Sequence, residues 1–157
     1  LLSERDKPIY SQEKWSMPSA SRTIEIDVSP DDLMAVITDF QCYPDFIPEM
    51  VSAKIVRQTG DIWEVAFGIH VVRRLDYTLK LKKMSPTRVE WSLVKGVFKA
   101  NNGSWQLTPL DGGSRTKAEY TVDIKVGMFL PGSLVRSLVG KSLPNMLDKF
   151  KERAESR

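Results

Sequence analysis

Arg74-Leu75-Asp76-Tyr77-Thr78-Leu79-Lys80-Leu81-Lys82-Lys83 alternates without a break. Leu75, Tyr77, Leu79 and Leu81 fall on one face, and Asp76, Thr78, Lys80 and Lys82 on the other. A period of two with one apolar and one polar face marks a strand half in a core and half in water, the habit of antiparallel sheets. The flanking segments repeat it. Residues 62–69 put Trp63, Val65, Phe67 and Ile69 on one face, and residues 88–94 do so with Val89, Trp91 and Leu93. Residues 103–110 offer Trp105 and Leu107; residues 115–126 offer Thr116, Ala118, Tyr120, Val122, Ile124 and Val126. With 51–59 in front, and Gly60-Asp61, Ser85-Pro86-Thr87 and Asp111-Gly112-Gly113-Ser114 as turn formers between runs, this predicts a six-strand meander.

Upstream, Ile24, Ile26 and Val28 alternate as a further strand beginning near Ala20. Ser29-Pro30-Asp31-Asp32 then supplies an N-cap, a proline at the first helical position and carboxylates in the first turn. Leu33, Val36, Ile37 and Phe40 come next at helical spacing, and Tyr43-Pro44 and Ile47-Pro48 leave room for only one more helical turn. Downstream, Val135, Leu138, Val139, Ser142, Leu143, Met146, Leu147 and Phe150 recur at three and four, predicting one amphipathic helix of about 20 residues. Pro144 lies inside it and should kink or break it, next to a turn weakened by Gly140. The expected fold is α+β: a curved seven-stranded antiparallel sheet wrapped around a long C-terminal helix, with two short helices after the first strand. Residues 1–19 read as a polar extension and residues 20–155 as a single domain.

The chain has 157 residues, of which 41% are hydrophobic and 27% charged, so a core can form without staples. No apolar run approaches the roughly 20 residues of a membrane-spanning helix. With 23 Lys and Arg against 20 Asp and Glu, the net charge of +3 gives no reason to expect DNA as a partner. One cysteine, Cys42, excludes an internal disulfide, and one histidine, His70, excludes a multi-histidine metal site. The lone cysteine and the lack of a basic-then-apolar leader make a cytoplasmic location the expectation. No cofactor is expected.

Catalytic constellations are thin. A Ser-His-Asp triad would need His70, which the pattern puts in a loop without a nucleophile elbow. Cys42 has no base beside it in sequence, Asp31-Asp32 and Asp45 with Glu49 read as first-turn charges, and Gly112-Gly113 as a hairpin turn. The sequence leans away from catalysis. The connections at one end of the meander are unusual instead: His70-Val71-Val72-Arg73-Arg74, Lys95-Gly96-Val97-Phe98-Lys99 and Gly127-Met128-Phe129-Leu130-Pro131-Gly132 carry apolar side chains that short turns do not need. Val71, Val72, Val97, Phe98, Met128, Phe129 and Leu130 are therefore the candidate gate of a cavity, with a folded-back plug of the core as the alternative. Phe98, Met128, Phe129 and Leu130 are also the candidate membrane contact. The candidate cavity wall is Phe67, Tyr77, Leu79, Trp91, Trp105 and Tyr120 from the strands, and Val135, Leu138, Val139 and Met146 from the helix. Tyr77 and Tyr120 would supply its polar handles.

Val36-Ile37-Thr38-Asp39-Phe40 with Tyr43-Pro44-Asp45-Phe46-Ile47-Pro48 after it resembles the signature of polyketide cyclase/dehydrase-type proteins of the START-related (SRPBCC, helix-grip) superfamily, and is most similar to their coenzyme Q-binding and ribosome-association toxin branch. Gly103-Ser104-Trp105-Gln106-Leu107-Thr108-Pro109-Leu110, Gly112-Gly113-Ser114-Arg115-Thr116 and Leu143-Pro144 add to the resemblance, which spans residues 19–154. It implies a hydrophobic cavity between sheet and C-terminal helix, and a binding or carrier role for a lipid, an isoprenoid quinone or a polyketide. The alternatives it implies are a polyketide cyclase or dehydrase and a ribosome-associated regulator, since this fold hosts all three.

Overall fold

The structure, a computed structural model, describes residues 19–127 and 130–157. The extension expected over residues 1–19 falls, Ser19 apart, outside them. Seven strands make one antiparallel sheet: β1 (Ser19–Ile26), β2 (Met50–Thr59), β3 (Ile62–Val71), β4 (Arg73–Ser85), β5 (Arg88–Gly96), β6 (Phe98–Leu110) and β7 (Arg115–Val126). Their order is β1-β7-β6-β5-β4-β3-β2, a meander whose first strand returns to the far edge. Register shifts within the β2–β3, β4–β5 and β6–β7 pairings bend the sheet into its curve. Between β1 and β2 lie α1 (Pro30–Ile37), a 3-10 turn (Phe40–Cys42) and α2 (Tyr43–Phe46). Ser29 caps α1, accepting from the Asp32 N–H at 3.2 Å.

The last segment is helical throughout but not uniform. α3 (Gly132–Ser137) passes into a π-helical turn (Leu138–Ser142) and then into α4 (Leu143–Glu155). This is how the chain accommodates Pro144. In an unbroken α-helix its ring would press on the carbonyl of Gly140; the wider turn ahead makes Pro144 part of a fresh first turn, where a missing N–H is harmless.

The core is uneven along the helix. α4 packs on β1, α1 and α2, and its buried Phe150 sits edge-on to Tyr43, Phe46 and Trp105, with ring centroids 5.1–5.2 Å apart. Phe40 meets Trp63 in the same way at 5.2 Å. At this end Asp27 donates its N–H to Glu155 at 2.9 Å, Lys151 reaches the Glu25 carbonyl, and Arg115 binds Glu25, Asp27 and Asp111. α3 and the π turn join the core through single side chains, with Leu134 and Leu138 buried. No described helix is long and apolar enough to cross a membrane.

Two expected loops turn out to be strand. β3 runs to Val71 and β4 starts at Arg73, so the first reverses at Val72, whose φ is +67°. His70 is thus a strand residue opposite Arg74, not a loop residue. β5 runs to Gly96 and β6 starts at Phe98, leaving Val97 as the turn. Gly96 is required there: its φ is +130° and an added Cβ would lie 2.5 Å from the Tyr77 Cα. The alternation fails across Val71-Val72 and Val97-Phe98, and that break is the reversal itself. β5 and β6 pair only from Arg88↔Gln106 to Trp91↔Gly103, so the expected strand start at Gly103 marks where their mutual ladder ends.

Candidate functional site

The reversals at Val72 and Val97 and the end of β7 at Val126 share one end of the sheet, and the space between the sheet and the π turn with the start of α4 is not filled. A cavity of about 100 Å³ lies between the inner sheet face and the final helix. Its strand wall includes Phe67, Ile69 and Val71 of β3, Tyr77, Leu79 and Leu81 of β4, and Trp91 of β5. Phe98, Asn101 and Trp105 of β6 and Tyr120, Val122 and Ile124 of β7 continue it. Leu138, Ser142, Leu143, Met146 and Phe150 close it from the helix, and Tyr43, Ile47, Glu49 and Met50 from the α2–β2 corner.

Of the ten expected wall residues, Phe67, Tyr77, Leu79, Trp91, Trp105, Tyr120, Leu138 and Met146 line this space. Val135 is half-buried on α3 outside the lining, and the side chain of Val139 lies outside what the structure describes. Of the expected gate residues, Val71 and Phe98 line the cavity as strand residues, and Val97 packs partly buried against the core. Leu130 is buried at the start of the turn into α3, its N–H bonded to the Gly127 carbonyl at 3.2 Å. Val72 stands in solvent at 80% exposure. Met128 and Phe129 lie outside the described residues. Phe98 and Leu130, expected to touch a membrane, are 5% and 6% exposed and so face inward in this conformation.

The polar lining is short. Tyr43 donates its hydroxyl to the Ile37 carbonyl. Trp91 Nε1 donates to Asn101 Oδ1 at 3.2 Å, bridging β5 and β6 beyond the last of their backbone pairs. Burial pushes the Tyr77 and Tyr120 hydroxyls far above the usual phenol range, so both remain protonated donors. Among the described residues, Glu49 is the one charged member of the lining.

Sequence reasoning missed Asn101, yet its parity was legible. Asn101, Gly103 and Trp105 share a face of β6, and carrying the alternation two residues further back from Gly103 would have placed Asn101 inside. In sequence Tyr43 shows only as an interruption of a helix. Its ring stacks on Phe67 at 5.9 Å, a long-range contact with no local signal.

Other chemistries find little support in the geometry. A hydrogen bond to Asp39 and partial burial hold the Cys42 thiol above its ordinary range, the reverse of an activated nucleophile. Among the described residues no group of three or more His, Cys, Asp or Glu side chains is placed to hold a metal ion.

A family model described as polyketide cyclase / dehydrase and lipid transport matches residues 26–151. The chain belongs to that family. Among its relatives, the persistence and stress-resistance toxin PasT of Escherichia coli O6:H1 is 26% identical over 140 residues, covering 88% of either chain. The ribosome association toxin RatA of Escherichia coli K12 is 25% identical over the same share. Solved structures carry the same fold. A START superfamily protein from Mycobacterium smegmatis superposes with a TM-score of 0.77 at 20% identity, over 88% of this chain and 97% of that one. The Zhui aromatase/cyclase of Streptomyces sp. R1128 superposes with a TM-score of 0.78 at 16% identity, over 89% and 94%.

Proposed function

We propose that this chain binds a hydrophobic small molecule of the lipid, isoprenoid quinone or polyketide class in the cavity beneath its final helix, and acts as a carrier or binding module without covalent chemistry. The observation that supports this most is an unfilled, mainly apolar space at one end of an otherwise close-packed core. Interiors are normally filled, and an apolar void forfeits contacts on all its walls. A cavity of about 150 Å³ engineered elsewhere takes up benzene, so the space here matches one ring-sized group. A longer ligand needs room that the closed form lacks, since ligand pockets commonly hold roughly 300–1,000 Å³. That room would open where the π turn and the start of α4 cover the sheet, between Leu138, Ser142, Leu143 and Met146 on the helix and Val71 and Phe98 on the strands.

Butylbenzene, which is apolar and uncharged, tests the reading directly. Titration monitored by backbone amide shifts should move residues 65–81, 98–105, 120–124 and 138–146 together. Shifts confined to the outer face, or none at saturation, would end the proposal.

Peripheral contact with a membrane belongs to this reading. Val72 combines a left-handed backbone, unfavourable for a β-branched residue, with 80% exposure at the cavity end, beside Arg73 and Arg74. Val72→Gly should raise stability yet weaken co-sedimentation with anionic vesicles; unchanged sedimentation would remove the membrane from the account. A second reading, association with ribosomes, draws on the names of the RatA relatives and on the outward Lys54, Arg57, Lys80 and Lys82 of β2 and β4. It predicts co-sedimentation with ribosomal subunits that is lost as salt rises; none at low salt would exclude it.

A further inference from the structure

The cavity's polar groups have a common character that its shape alone does not reveal. Trp91 Nε1 is a donor only, so the oxygen of Asn101 must be the atom that meets it. The amide N–H groups of Asn101 are thereby turned the other way, on a side chain 6% exposed. Among the described residues they have no hydrogen-bond partner, and the hydroxyls of Tyr77 and Tyr120 have none either. No described side-chain nitrogen or oxygen that is fully sealed from open space lacks a partner. These three groups therefore border the open volume, and all three residues line it.

Charge points the same way. No described lysine or arginine lines the cavity, and its one ionisable carboxyl belongs to Glu49. Glu49 also borders a surface groove shared with Asp148, Glu152 and Lys149, in which Lys149 pairs with Glu152 at 3.6 Å. An anionic head would meet unpaired negative charge on the groove side and no described cation within, and a buried charge without a partner is strongly disfavoured. An ammonium head would find acceptors in the Glu49 carboxylate and the hydroxyl oxygens, so the charge argument applies to anions alone.

We infer that the ligand is an uncharged carbonyl compound, whose oxygen is taken by the Tyr77 and Tyr120 hydroxyls and the Asn101 amide, and that the cavity discriminates against carboxylates of the same size and apolarity. This rests on the proposed binding function and adds the chemistry of the head group. Burial keeps both tyrosines protonated through the neutral range, so the donors are present whenever the protein is folded there.

The test is a matched series of 4-butylacetophenone, 4-butylbenzoate, 4-butylbenzylamine and butylbenzene, titrated calorimetrically into the full chain at pH 7. The ketone should bind at least about tenfold more tightly than the benzoate, and a benzylamine that binds as tightly as the ketone would overturn the carbonyl assignment. Tyr120→Phe should reduce the ratio of ketone to butylbenzene affinity severalfold. Benzoate binding as tightly as the ketone would overturn the charge argument, and a ketone preference intact in both Tyr120→Phe and Tyr77→Phe would overturn the donor argument. Failure of all four ligands, butylbenzene included, would instead overturn the cavity reading beneath it.

Discussion

Gly103 and Gly140 show how differently one residue type is constrained here. An added Cβ at Gly103 would stand 2.1 Å from the Thr121 carbonyl oxygen and 2.6 Å from the Trp91 ring, both held by the sheet. Gly103→Ala should therefore cost about 1–3 kcal/mol through forced backbone and ring displacement. Because the Trp91 ring bridges to Asn101, the same variant should also weaken ketone binding. A Cβ at Gly140 meets nothing within 4 Å on an exposed helical position, so Gly140→Ala should stabilise by about 0.5–1 kcal/mol. Paired thermal melts check both signs, and a stabilised Gly103→Ala would show that the approach of β6 to β7 is looser than described. The parity of Asn101 belongs to this scale too. A one-residue alternation argument reaches it once the strand is allowed to run to Phe98, whereas the Tyr43–Phe67 stacking depends on the fold and has no sequence signal.

At the scale of elements, the final helix is tied by ion pairs and hydrogen bonds at its C-terminal end and held by buried leucines at its start. β1, β7 and α4 meet where Arg115 holds Glu25, Asp27 and Asp111, and where Glu155 accepts from the Asp27 N–H and from Lys151. The Arg115 guanidinium, bonded to Asp27, holds that carboxyl below its ordinary 3.8. Lys151, with the Asp27 N–H second, holds Glu155 below its ordinary 4.5. A carboxyl with a lowered folded pKa adds stability that is complete above its unfolded pKa and drains away as pH falls through the folded value. This contribution is full above about pH 5 and lost progressively below 4.5 and then 3.8. Arg115→Met should be less stable than the parent at neutral pH, and the gap should narrow steadily in urea melts taken from about pH 5 down to pH 2.5. A gap that stays constant with pH would mean that Arg115 acts through packing. The helix period, Pro144 and Gly140 announce an interruption in sequence; that it takes the form of a π turn, with Leu138 and Ser142 over the cavity, is a property of the folded backbone.

Over the whole molecule, the alternation at period two and the helical period at the end were enough to read the sheet, its meander order and the covering helix. Six of the expected wall residues line the cavity because parity on a strand fixes which face is inside, and Leu138 and Met146 join them through the helical period. The gate was harder to read. Sequence shows that an apolar pair interrupts a strand pattern, but not that the chain reverses in a single residue and returns as strand, which depends on hydrogen bonds to β4 and β7. The central claim is that the space under the π turn and the start of α4 is there to be occupied by an apolar, uncharged molecule. Native mass spectrometry of protein purified from cells, paired with mass analysis of an organic extract of the same sample, tests it most directly. The account predicts an added mass that leaves on denaturation and reappears in the extract as a neutral, carbonyl-bearing apolar compound. Protein that stays at its bare mass, and remains so after incubation with 4-butylacetophenone at saturating concentration, would contradict it.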